Sequence, residues 1–419
     1  MKVVVLGAGV VGVAAAYYLA EDGHDVTVID RNDQAAGETS YGNAGLVTPG
    51  DSYAWASPAA LKLFIKSLYH RDLGIKVTPR LDPRLWSWSW KFLFECTNER
   101  ARINTLRKFR VTMYSRQCME ALVERTKVAF DRGNRGVVYF FRSQESLDHG
   151  AQHMRLLADN GLSIEVVDRD GLARAEPALA PAKDKLAGGI FSPMDQTGDS
   201  RKFAGNLGGW CARERNVRFA WRTNVTGIDA AGGRVARVIT DKGAVEADAF
   251  VLAMGCDSPF LARQIGVKLP IYPVKGYSMT LPIADRAEAP TIGGVDEFNL
   301  VAFARMGNRL RLTGTADFAG YDTAHRPEHF ATMLKTAREL FPRAADFDRP
   351  DYWACLRPMT PDGPPILGLA RHRNLYLNTG HGHMGWTMAC GSSRIVADMI
   401  DGRLPEIDVR GLTLERYAA

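Results

Sequence analysis

The sequence predicts an α/β fold in which two domains are interleaved along the chain, and three observations lead to this prediction. A β-branched apolar run at the start of the chain meets three glycines at the spacing G-x-G-x-x-G. An Ala-rich helical segment and a second apolar run, 25–29, follow directly. Strand-like segments that end in glycine turns, near 249–255 and 375–385, alternate with segments typical of an antiparallel sheet. We therefore expect one Rossmann-like domain and one α+β domain built on an antiparallel sheet.

The first element pair is a complete βαβ unit. Gly7, Gly9 and Gly12 lie between strand and helix, and Asp30 follows the last of them by 18 residues. In this arrangement the glycines allow a tight turn, close approach of the backbone to a pyrophosphate and close helix packing, while the helix N-terminus attracts the phosphates. Asp30 is placed to accept a hydrogen bond from an adenosine ribose hydroxyl. The segment predicts nucleotide binding.

The uncharged stretch 3–20 has an alternative interpretation as a membrane-spanning or secretory segment. Nucleotide binding is favoured, because the glycines of this stretch have the G-x-G-x-x-G spacing and no A-x-A cleavage site for a signal peptidase follows it. The six cysteines lie far apart without a C-x-x-C pair, so the sequence predicts neither a disulfide framework nor a zinc or other metal site. We expect a protein of the reducing cytoplasm, soluble or attached peripherally to the inner face of the cytoplasmic membrane.

The 419-residue chain has a formal net charge of +6, and its basic residues are concentrated in 59–110. This segment holds five Lys and seven Arg against two Asp and two Glu, together with the apolar runs 61–66 and 85–94. Basic residues mixed with Trp, Phe and Leu are typical of a surface that contacts a membrane. A helical region that packs its aromatic residues inward is the alternative. No nucleic-acid-reading motif accompanies the charge, so we expect no nucleic-acid partner.

The remaining pattern places the other elements and the domain boundaries. Residues 59–127 predict helices, as do 146–160, 200–215, 329–340 and 386–400. Predicted strands are 137–141, 163–167, the short strands 217–219 and 225–228, the meander completed by 235–240 and 245–251, the parallel strand 249–253, and the antiparallel strands 272–281, 300–305 and 310–315. The nucleotide-binding domain is expected to comprise 1–58, 196–265 and 355–419, and the substrate-binding domain 59–195 and 266–354.

A second glycine turn, Gly380-x-Gly382-x-x-Gly385, stands between a strand and the last helix. A nicotinamide site is the alternative interpretation, but no further βα crossover with an acid-tipped strand follows it. We expect this turn to aim a helix N-terminus at the other end of the same cofactor. A flavin fits, because its two-electron reduction places negative charge near N1 and the C2 carbonyl, where a helix N-terminus is stabilising.

Several longer motifs point to one family. They are Ser40-Tyr41-Gly42-Asn43-Ala44-Gly45, Gly198-Asp199, Pro273-Val274-Lys275-Gly276-Tyr277-Ser278, Leu356-Arg357-Pro358-Met359-Thr360-Pro361-Asp362-Gly363, Asn378-Thr379-Gly380-His381-Gly382 and Gly385-Trp386-Thr387. With the fingerprint over 3–17, they make the chain resemble, nearly end to end, the D-amino-acid dehydrogenases of the glycine oxidase/D-amino-acid oxidase superfamily. The resemblance implies bound FAD, oxidative deamination of D-amino acids to 2-oxo acids and ammonia by hydride transfer from Cα to flavin N5, and electron transfer to a respiratory, quinone-type acceptor.

The candidate cofactor-binding residues combine the fingerprint with these motifs. They are Val3, Gly7, Ala8, Gly9, Val10, Val11, Gly12, Tyr17, Asp30, Arg31, Ser40, Asn43, Ala44, Gly45, Val225, Ala253, Gly255, Gly380, Gly382, Met384, Gly385, Trp386 and Thr387. We expect FAD to be held non-covalently. Cys355 stands where the family pattern has glycine, and related sarcosine oxidases carry covalent flavin on a cysteine at about this place, so a covalent link at Cys355 is the alternative.

The candidate catalytic residues are Arg357, Tyr277 and His383. By motif, Arg357 corresponds to the arginine with which the family grips the substrate carboxylate, and a planar, permanently charged guanidinium suits that partner. A structural ion pair is the alternative. Tyr277 matches a sheet position facing the flavin, where its side chain either caps the pocket or packs in the core. Lys275 either lines the pocket or serves only in packing. His383, at a position usually smaller in the family, is either a proton acceptor or a lining residue.

Two other functions stay open from the sequence. Sarcosine and D-hydroxyproline carry the same carboxylate, so Arg357 also fits an oxidase or dehydrogenase of secondary-amine acids. A non-catalytic flavin-binding assembly subunit is the alternative from another class of protein, and the carboxylate-binding arginine counts against it. Oxygen and a membrane quinone are both open as electron acceptors, and the basic, Trp-rich segment 59–110 favours the quinone.

Overall fold

The computed structural model describes residues 1–62, 74–77 and 80–418. The strands are β1 (Lys2–Leu6), β2 (Asp25–Ile29), β3 (Leu46–Val47), β4 (Ile75–Val77), β5 (Val137–Phe141), β6 (Glu165–Asp168), β7 (Gly188–Ser192), β8 (Gln196–Thr197), β9 (Arg218–Ala220), β10 (Val225–Ala231), β11 (Arg234–Thr240), β12 (Gly243–Val245), β13 (Ala249–Leu252), β14 (Tyr272–Pro282), β15 (Gly293–Asp296), β16 (Val301–Met306), β17 (Arg309–Phe318), β18 (Asp351–Met359), β19 (Ile366–Leu369) and β20 (Leu375–Thr379). The α-helices are α1 (Val10–Glu21), α2 (Pro83–Glu95), α3 (Asn98–Thr126), α4 (Gln144–Ala158), α5 (Arg169–Ala175), α6 (Ser200–Arg215), α7 (Ser258–Arg263), α8 (Ala331–Leu340) and α9 (Gly385–Ile400). Short 3-10 turns include Pro49–Asp51, Gly255–Asp257 and Gly382–Met384.

The first sheet is mostly parallel, with the strand order β19-β20-β13-β1-β2-β9. In its middle, Val5 of β1 pairs with Val28 of β2 and with Val251 of β13. Val3 to Leu6 are buried, as expected for a parallel strand covered on both faces. Helix α1 packs against α6 and α9 over this sheet. The arrangement confirms the predicted Rossmann-like fold.

The second sheet is mostly antiparallel, in the order β18-β14-β17-β16-β15-β5-β7-β6, with β4 added beside β17. Strand β14 is hydrogen-bonded to β17 on one side and to β18 on the other, from the pair Tyr272–Met359 to the pair Thr280–Asp351. Its side chains are buried almost throughout. This long strand, paired on both sides along most of its length, is at the centre of the antiparallel pairing.

The two sheets take their strands alternately from the chain. The parallel sheet uses segments within 2–29, 218–252 and 366–379, and the antiparallel sheet uses segments within 75–192 and 272–359. The interleaved α/β class is therefore confirmed. The domain boundaries stay a prediction, and the predicted boundary at residue 355 falls inside β18, which continues its pairing with β14 on both sides of that residue.

Three local predictions are wrong. The helical prediction for 59–127 contains a strand, because Ile75–Val77 pairs in parallel with 316–318 of β17. The strand predicted for 245–251 is two strands: the meander of β10, β11 and β12 ends at Val245, and β13 belongs to the parallel sheet. Asp248, between them, accepts a hydrogen bond from the N–H of Lys2 at 2.7 Å. The strand near 217–219 is not part of that meander but the edge of the parallel sheet.

Helix α2 carries tryptophans on opposite sides. Trp88 is buried, and its indole N–H donates to the carbonyl oxygen of Met359 at 2.9 Å. Trp86, Trp90 and Phe94 form an exposed face, with Trp90 63% accessible. Most of the apolar run 61–66 lies outside the described residues. Among the described helices, none has the length and apolarity that a bilayer crossing requires.

Candidate active site

A deep cavity of about 1200 Å³ lies where the two sheets meet. One part of its wall comes from the carboxyl ends of β1, β2 and β13 and from the loop 37–46. The opposite part comes from β14, β17 and β18 of the antiparallel sheet. Open α/β sheets bind ligands beyond the carboxyl ends of their strands, so this is the expected place for a nucleotide.

Steric constraints explain the glycines of the first turn. Gly7 has φ +103°, and a Cβ on it would lie 2.7 Å from the carbonyl oxygen of Ala253. A Cβ on Gly12 would lie 1.9 Å from the carbonyl oxygen of Gly7, so Gly12 allows close packing of helix on strand. Gly9 lines the cavity as the N-cap of α1 and offers no side-chain cap. The N-terminus of α1 is therefore open to a phosphate.

The backbone orients Asp30 at the end of β2. Its Oδ2 accepts a hydrogen bond from the N–H of Ala8 at 2.6 Å, and its Oδ1 accepts one from the backbone two residues on at 2.8 Å. Oδ1 also accepts from the side-chain amide of Asn32 at 3.0 Å, so Oδ2 is the oxygen that keeps acceptor capacity, and Asp30 lines the cavity. Arg31 pairs with Glu38 and Asp257, both at 3.0 Å, over the same end of the cavity.

A buried arginine holds the loop 40–45 against the cavity. The guanidinium of Arg311 donates to the carbonyl oxygens of Tyr41 and Asn43, both at 3.0 Å. At the other end of the loop, Ser40 Oγ accepts a hydrogen bond from the N–H of Val10 at 3.1 Å. Sequence reasoning missed Arg311, for which the only signal is a basic residue within an apolar strand pattern.

The N-terminus of α9 approaches the cavity from the opposite side. Gly385 begins the helix, no acidic residue occupies its first turn, and no side chain caps it. Thr387 Oγ1 accepts a hydrogen bond from the N–H of Thr48 at 3.2 Å. The indole N–H of Trp386 and the Oδ1 of Asn378 are buried in the cavity wall without a partner among the described residues. Unmet buried polar atoms at this place are suited to a polar ligand.

Arg357 projects from β18 into the cavity. Its Nη1 donates to the carbonyl oxygen of Thr315 at 2.8 Å, and its guanidinium lies over Gly276, where a Cβ would come within 2.6 Å of Cζ. No carboxylate of the described residues lies within 4 Å of it. Burial lowers the pKa of Arg357, which nonetheless stays charged because a guanidinium is never deprotonated in proteins. Among the residues that the structure describes, Arg357 forms no structural ion pair, so its charge is available to an anionic ligand.

Tyr277 and Lys275 lie two residues apart on β14, on either side of Gly276. Tyr277 lines the cavity, its hydroxyl donates to Asp317 Oδ2 at 2.9 Å, and burial raises its pKa. Lys275 is buried; its Nζ lies 3.5 Å from Asp322 Oδ2 and donates to the carbonyl oxygen of Ala324. Of the two, Tyr277 is placed to face a ligand, and Lys275 packs away from the cavity lining.

His383 lines the cavity beside Trp55 and Asp51. Its ring stacks on Trp55 with centroids 4.9 Å apart, and its Nε2 lies 3.6 Å from Asp51 Oδ2. Burial, with the charges of Lys108 and Arg357, holds the pKa of His383 well below its usual value. An imidazole in this environment is a poor proton acceptor.

Three carboxyl groups near this end were missed by sequence reasoning. Asp51 and Glu297 line the cavity, and burial raises their pKa values to about 6 and about 8. Behind them, Asp195 accepts a hydrogen bond from the hydroxyl of Tyr139 at 2.7 Å, and burial raises its pKa to about 7. They come from distant segments, so no local pattern could have brought them together.

Cys355 lines the same cavity, directly opposite Gly276 in the strand register. Burial raises the pKa of its thiol. A thiol that is held protonated is a weak nucleophile, since the thiolate is the reactive form.

Most of the predicted site residues are brought together in this cavity. The lining includes Arg357, Tyr277, His383, Gly7, Gly9, Val10, Val11, Asp30, Arg31, Ser40, Asn43, Ala44, Val225, Ala253, Gly255, Gly382, Met384, Gly385, Trp386 and Thr387. The residues outside the lining are Val3, Ala8, Gly12, Tyr17, Gly45 and Gly380. They lie behind it: Tyr17, for example, packs on Trp210 with ring centroids 5.6 Å apart, and Gly380 has φ +76° in the turn before α9.

The residues present fit a flavin dinucleotide. Two uncapped helix N-termini face one cavity, which suits a ligand with a pyrophosphate and, at a distance, a second electron-rich group. The unpartnered polar atoms of Trp386 and Asn378 lie at the α9 end. Within the described ranges, no group of three or more His, Cys, Asp or Glu side chains is arranged to hold a metal ion.

Comparison with known proteins agrees with this geometry. Residues 2–399 match the family described as FAD dependent oxidoreductase. D-amino acid dehydrogenase 2 of Mesorhizobium japonicum is 54% identical over 98% of this chain and 99% of its own length. D-amino acid dehydrogenase of Bradyrhizobium diazoefficiens is 44% identical over 100% and 99%. Glycine oxidase from Geobacillus kaustophilus has the same fold, with a TM-score of 0.74 at 21% identity over 99% and 98% of the two chains.

Proposed function

Because the chain belongs to the family of FAD-dependent oxidoreductases, we propose that it oxidises D-amino acids to 2-oxo acids and ammonia. Relatives named D-amino acid dehydrogenase, 44–54% identical along the whole chain, support this substrate class. FAD, when bound, supplies the two-electron acceptor that the oxidation of an amine to an imine requires. The imine hydrolyses in water.

One observation carries the proposal: the guanidinium of Arg357 has no carboxylate partner among the described residues and faces the cofactor cavity. Arginine binds a carboxylate through two parallel hydrogen bonds and so fixes both its position and its plane. Fixing the carboxylate restricts where the α-carbon can lie, which is the main contribution a protein makes to such a reaction. Tyr277 closes the substrate end from β14, and His383 lines it from the turn before α9.

We propose that FAD is held without a covalent bond. The raised pKa of Cys355 favours this, because a protonated thiol does not attack an electrophile. The glycine turn and the two helix N-termini offer enough non-covalent contacts for a dinucleotide.

We also propose that the electrons pass to a membrane quinone and that the exposed face of α2 contacts the inner side of the cytoplasmic membrane. This face presents Trp86, Trp90, Leu93 and Phe94 beside the exposed Lys91. Tryptophan and lysine together are typical of side chains at the membrane–water interface.

The test is anaerobic reduction of the bound flavin by a panel of D- and L-amino acids, sarcosine and D-hydroxyproline, followed by separate reoxidation with oxygen and with a quinone analogue. We expect D-amino acids to bleach the flavin absorbance and the quinone to restore it faster than oxygen. Bleaching by sarcosine or D-hydroxyproline alone would move the protein to secondary-amine substrates. A flavin that no substrate reduces would make it a non-catalytic flavin-binding protein.

A further inference from the structure

The carboxylate of Asp51 has no role in the function proposed above. Asp51 ends the 3-10 turn that follows β3, and about half of its side chain (49%) is accessible within the cavity. In the part of the chain that the structure describes, His383 is the one residue with a basic nitrogen within 4 Å of this carboxylate: its Nε2 lies 3.6 Å from Asp51 Oδ2. That contact is longer than a hydrogen bond, so the carboxylate is available to a ligand.

Asp51 and Arg357 carry opposite charges and line the same cavity, but they do not form an ion pair with each other. Each charge acts on the pKa of the other, so they lie within electrostatic range. Yet no pair of their N and O atoms comes within 4 Å. An amino acid carries the complementary pair of charges, since its carboxylate and ammonium are separated by a single carbon atom. Two facing, unpaired charges of opposite sign are therefore complementary to a zwitterion.

We propose that Asp51 is a further catalytic residue, which binds the α-ammonium group of the substrate and accepts a proton from it. This inference rests on the proposed function, because it takes the substrate carboxylate to be bound at Arg357. An ammonium nitrogen has no lone pair with which to assist loss of the hydrogen at Cα, so the proton must leave first. In this step one N–H bond breaks and one O–H bond forms at the Asp51 carboxylate. No electrons are gained or lost; the two-electron oxidation that follows uses the FAD of the family.

The groups around Asp51 suit a proton acceptor. Those that face it are Arg357 on β18, Lys108 on α3, His383 before α9, Tyr53, Tyr139 on β5, Asp195 and Glu297. Withdrawal from bulk water into the cavity raises the pKa of Asp51 to about 6. The nearby charges of Lys108, whose Nζ donates to the carbonyl oxygen of Tyr53 at 2.5 Å, and of Arg357 act in the opposite direction. At neutral pH the group is ionised but more basic than an ordinary aspartate, as general-base catalysis favours.

His383 is the competing acceptor, and the structure favours Asp51. Burial and two nearby cations hold the pKa of His383 well below its usual value. Its ring stacks on Trp55, and its Nε2 lies beside the Asp51 carboxylate without a hydrogen bond to it.

The first experiment compares the pH dependence of anaerobic flavin reduction in the wild type and in Asp51→Asn. We expect the variant to lose about 10²-fold in rate constant at about pH 7, the usual size of a general-base contribution. The deficit should shrink as the pH rises toward about 10, because more of the substrate then arrives as the free amine. In the wild type the rate constant should fall below about pH 6, where Asp51 becomes protonated. In Asp51→Asn this acid limb of the pH profile should move up to the pKa of the substrate's ammonium group.

Glu297→Gln is the matched control, since it removes a carboxyl group from the same cavity wall. It should leave the acid limb where it is in the wild type. A deficit in Asp51→Asn that stays constant with pH, or an equal displacement of the acid limb in Glu297→Gln, would overturn the inference.

The second readout is binding, which needs no turnover. 2-Aminoisobutyrate has an ammonium group but no hydrogen at Cα, and isobutyrate differs from it by lacking the ammonium. The dissociation constants of both compounds are measured by calorimetry or by flavin absorbance. We expect the wild-type holoenzyme to bind 2-aminoisobutyrate more tightly than isobutyrate, and the ratio of the two constants to fall by about tenfold or more in Asp51→Asn. An unchanged ratio would contradict the proposal, and Asp51→Ser gives the same comparison if the amide variant does not fold. If no D-amino acid reduces the flavin but the ratio changes as expected, the proposed function fails while the ammonium site stands.

Discussion

Replacing Gly276 by alanine is expected to displace the guanidinium that anchors the substrate. A Cβ built on Gly276 lies 2.6 Å from both Cζ and Nη2 of Arg357, about 1 Å closer than carbon–nitrogen contacts allow. The backbone at Gly276 is paired with Cys355 of β18, and its neighbours Lys275 and Tyr277 pair with β17 on either side of a local irregularity, so the free end of the arginine side chain yields more easily than the strand. The arginine must therefore move by about 1 Å. Charge-assisted hydrogen bonds contribute about 1.5–3 kcal/mol each, so loss of alignment with the carboxylate should raise KM by about 10- to 100-fold.

The assay is steady-state oxidation of a D-amino acid with a dye as electron acceptor, together with the flavin content of the purified protein. Gly205→Ala is the matched control, since a Cβ there meets nothing within 4 Å and the residue lies in the exposed part of α6. A Gly276→Ala variant that binds flavin normally and keeps the wild-type KM would show that the guanidinium is not displaced. The same rise in KM in Gly205→Ala would show that the effect is not specific to Gly276.

Three further predictions concern the flavin, the membrane and the pH dependence of stability. Acid precipitation should leave the yellow colour in the supernatant; colour that stays with the pellet and is lost in Cys355→Ser would show a covalent link at this thiol. Replacing the exposed Trp86 and Trp90 by Ser should reduce the fraction of protein that sediments with anionic lipid vesicles and should change the melting temperature by no more than a few degrees. Trp88→Ser should instead destabilise the fold, because Trp88 is buried and hydrogen-bonded. Burial raises the pKa of Asp195 to about 7, so the native state keeps a proton that the unfolded chain releases, and the free energy of unfolding should fall between about pH 4 and about pH 7. Urea denaturation of Asp195→Asn should show a shallower fall over that range, and an unchanged slope would argue against the protonated carboxyl.

Local features of the chain could be predicted from its sequence. The close packing of Gly12 on the carbonyl of Gly7 is a contact within a few residues, and the glycine spacing predicted it, whereas the contact of Gly7 with the carbonyl of Ala253 depends on the fold. The start of α6 after Asp199 was predicted in the same way, and the side chain of Asp199 does accept hydrogen bonds from the first turn. Arg357 was found through a motif, and the structure places it in the cavity, although its role stays a proposal.

Features that depend on the fold could not be predicted. Asp51 and Glu297 are far apart in the chain and meet only because β15 and the turn after β3 border the same cavity. Strand β4 consists of three residues inside a segment of helical composition, and only its partner β17 makes it a strand. The tryptophans of α2 share one amphipathic pattern, and packing under α2 decides that Trp88 is buried while Trp86 is exposed.

The proposed function requires that the guanidinium of Arg357, which has no carboxylate partner among the described residues, binds the carboxylate of the ligand beside the flavin. The test is titration of isobutyrate, followed by the change in flavin absorbance, in the wild type and in Arg357→Met, which keeps an unbranched apolar stem and removes the charge. We expect the variant to bind isobutyrate about 100-fold more weakly while its flavin content stays normal, since loss of a charge-assisted pair of hydrogen bonds costs about 3 kcal/mol and each tenfold change in affinity corresponds to about 1.4 kcal/mol. Equal affinity in the two proteins would contradict it.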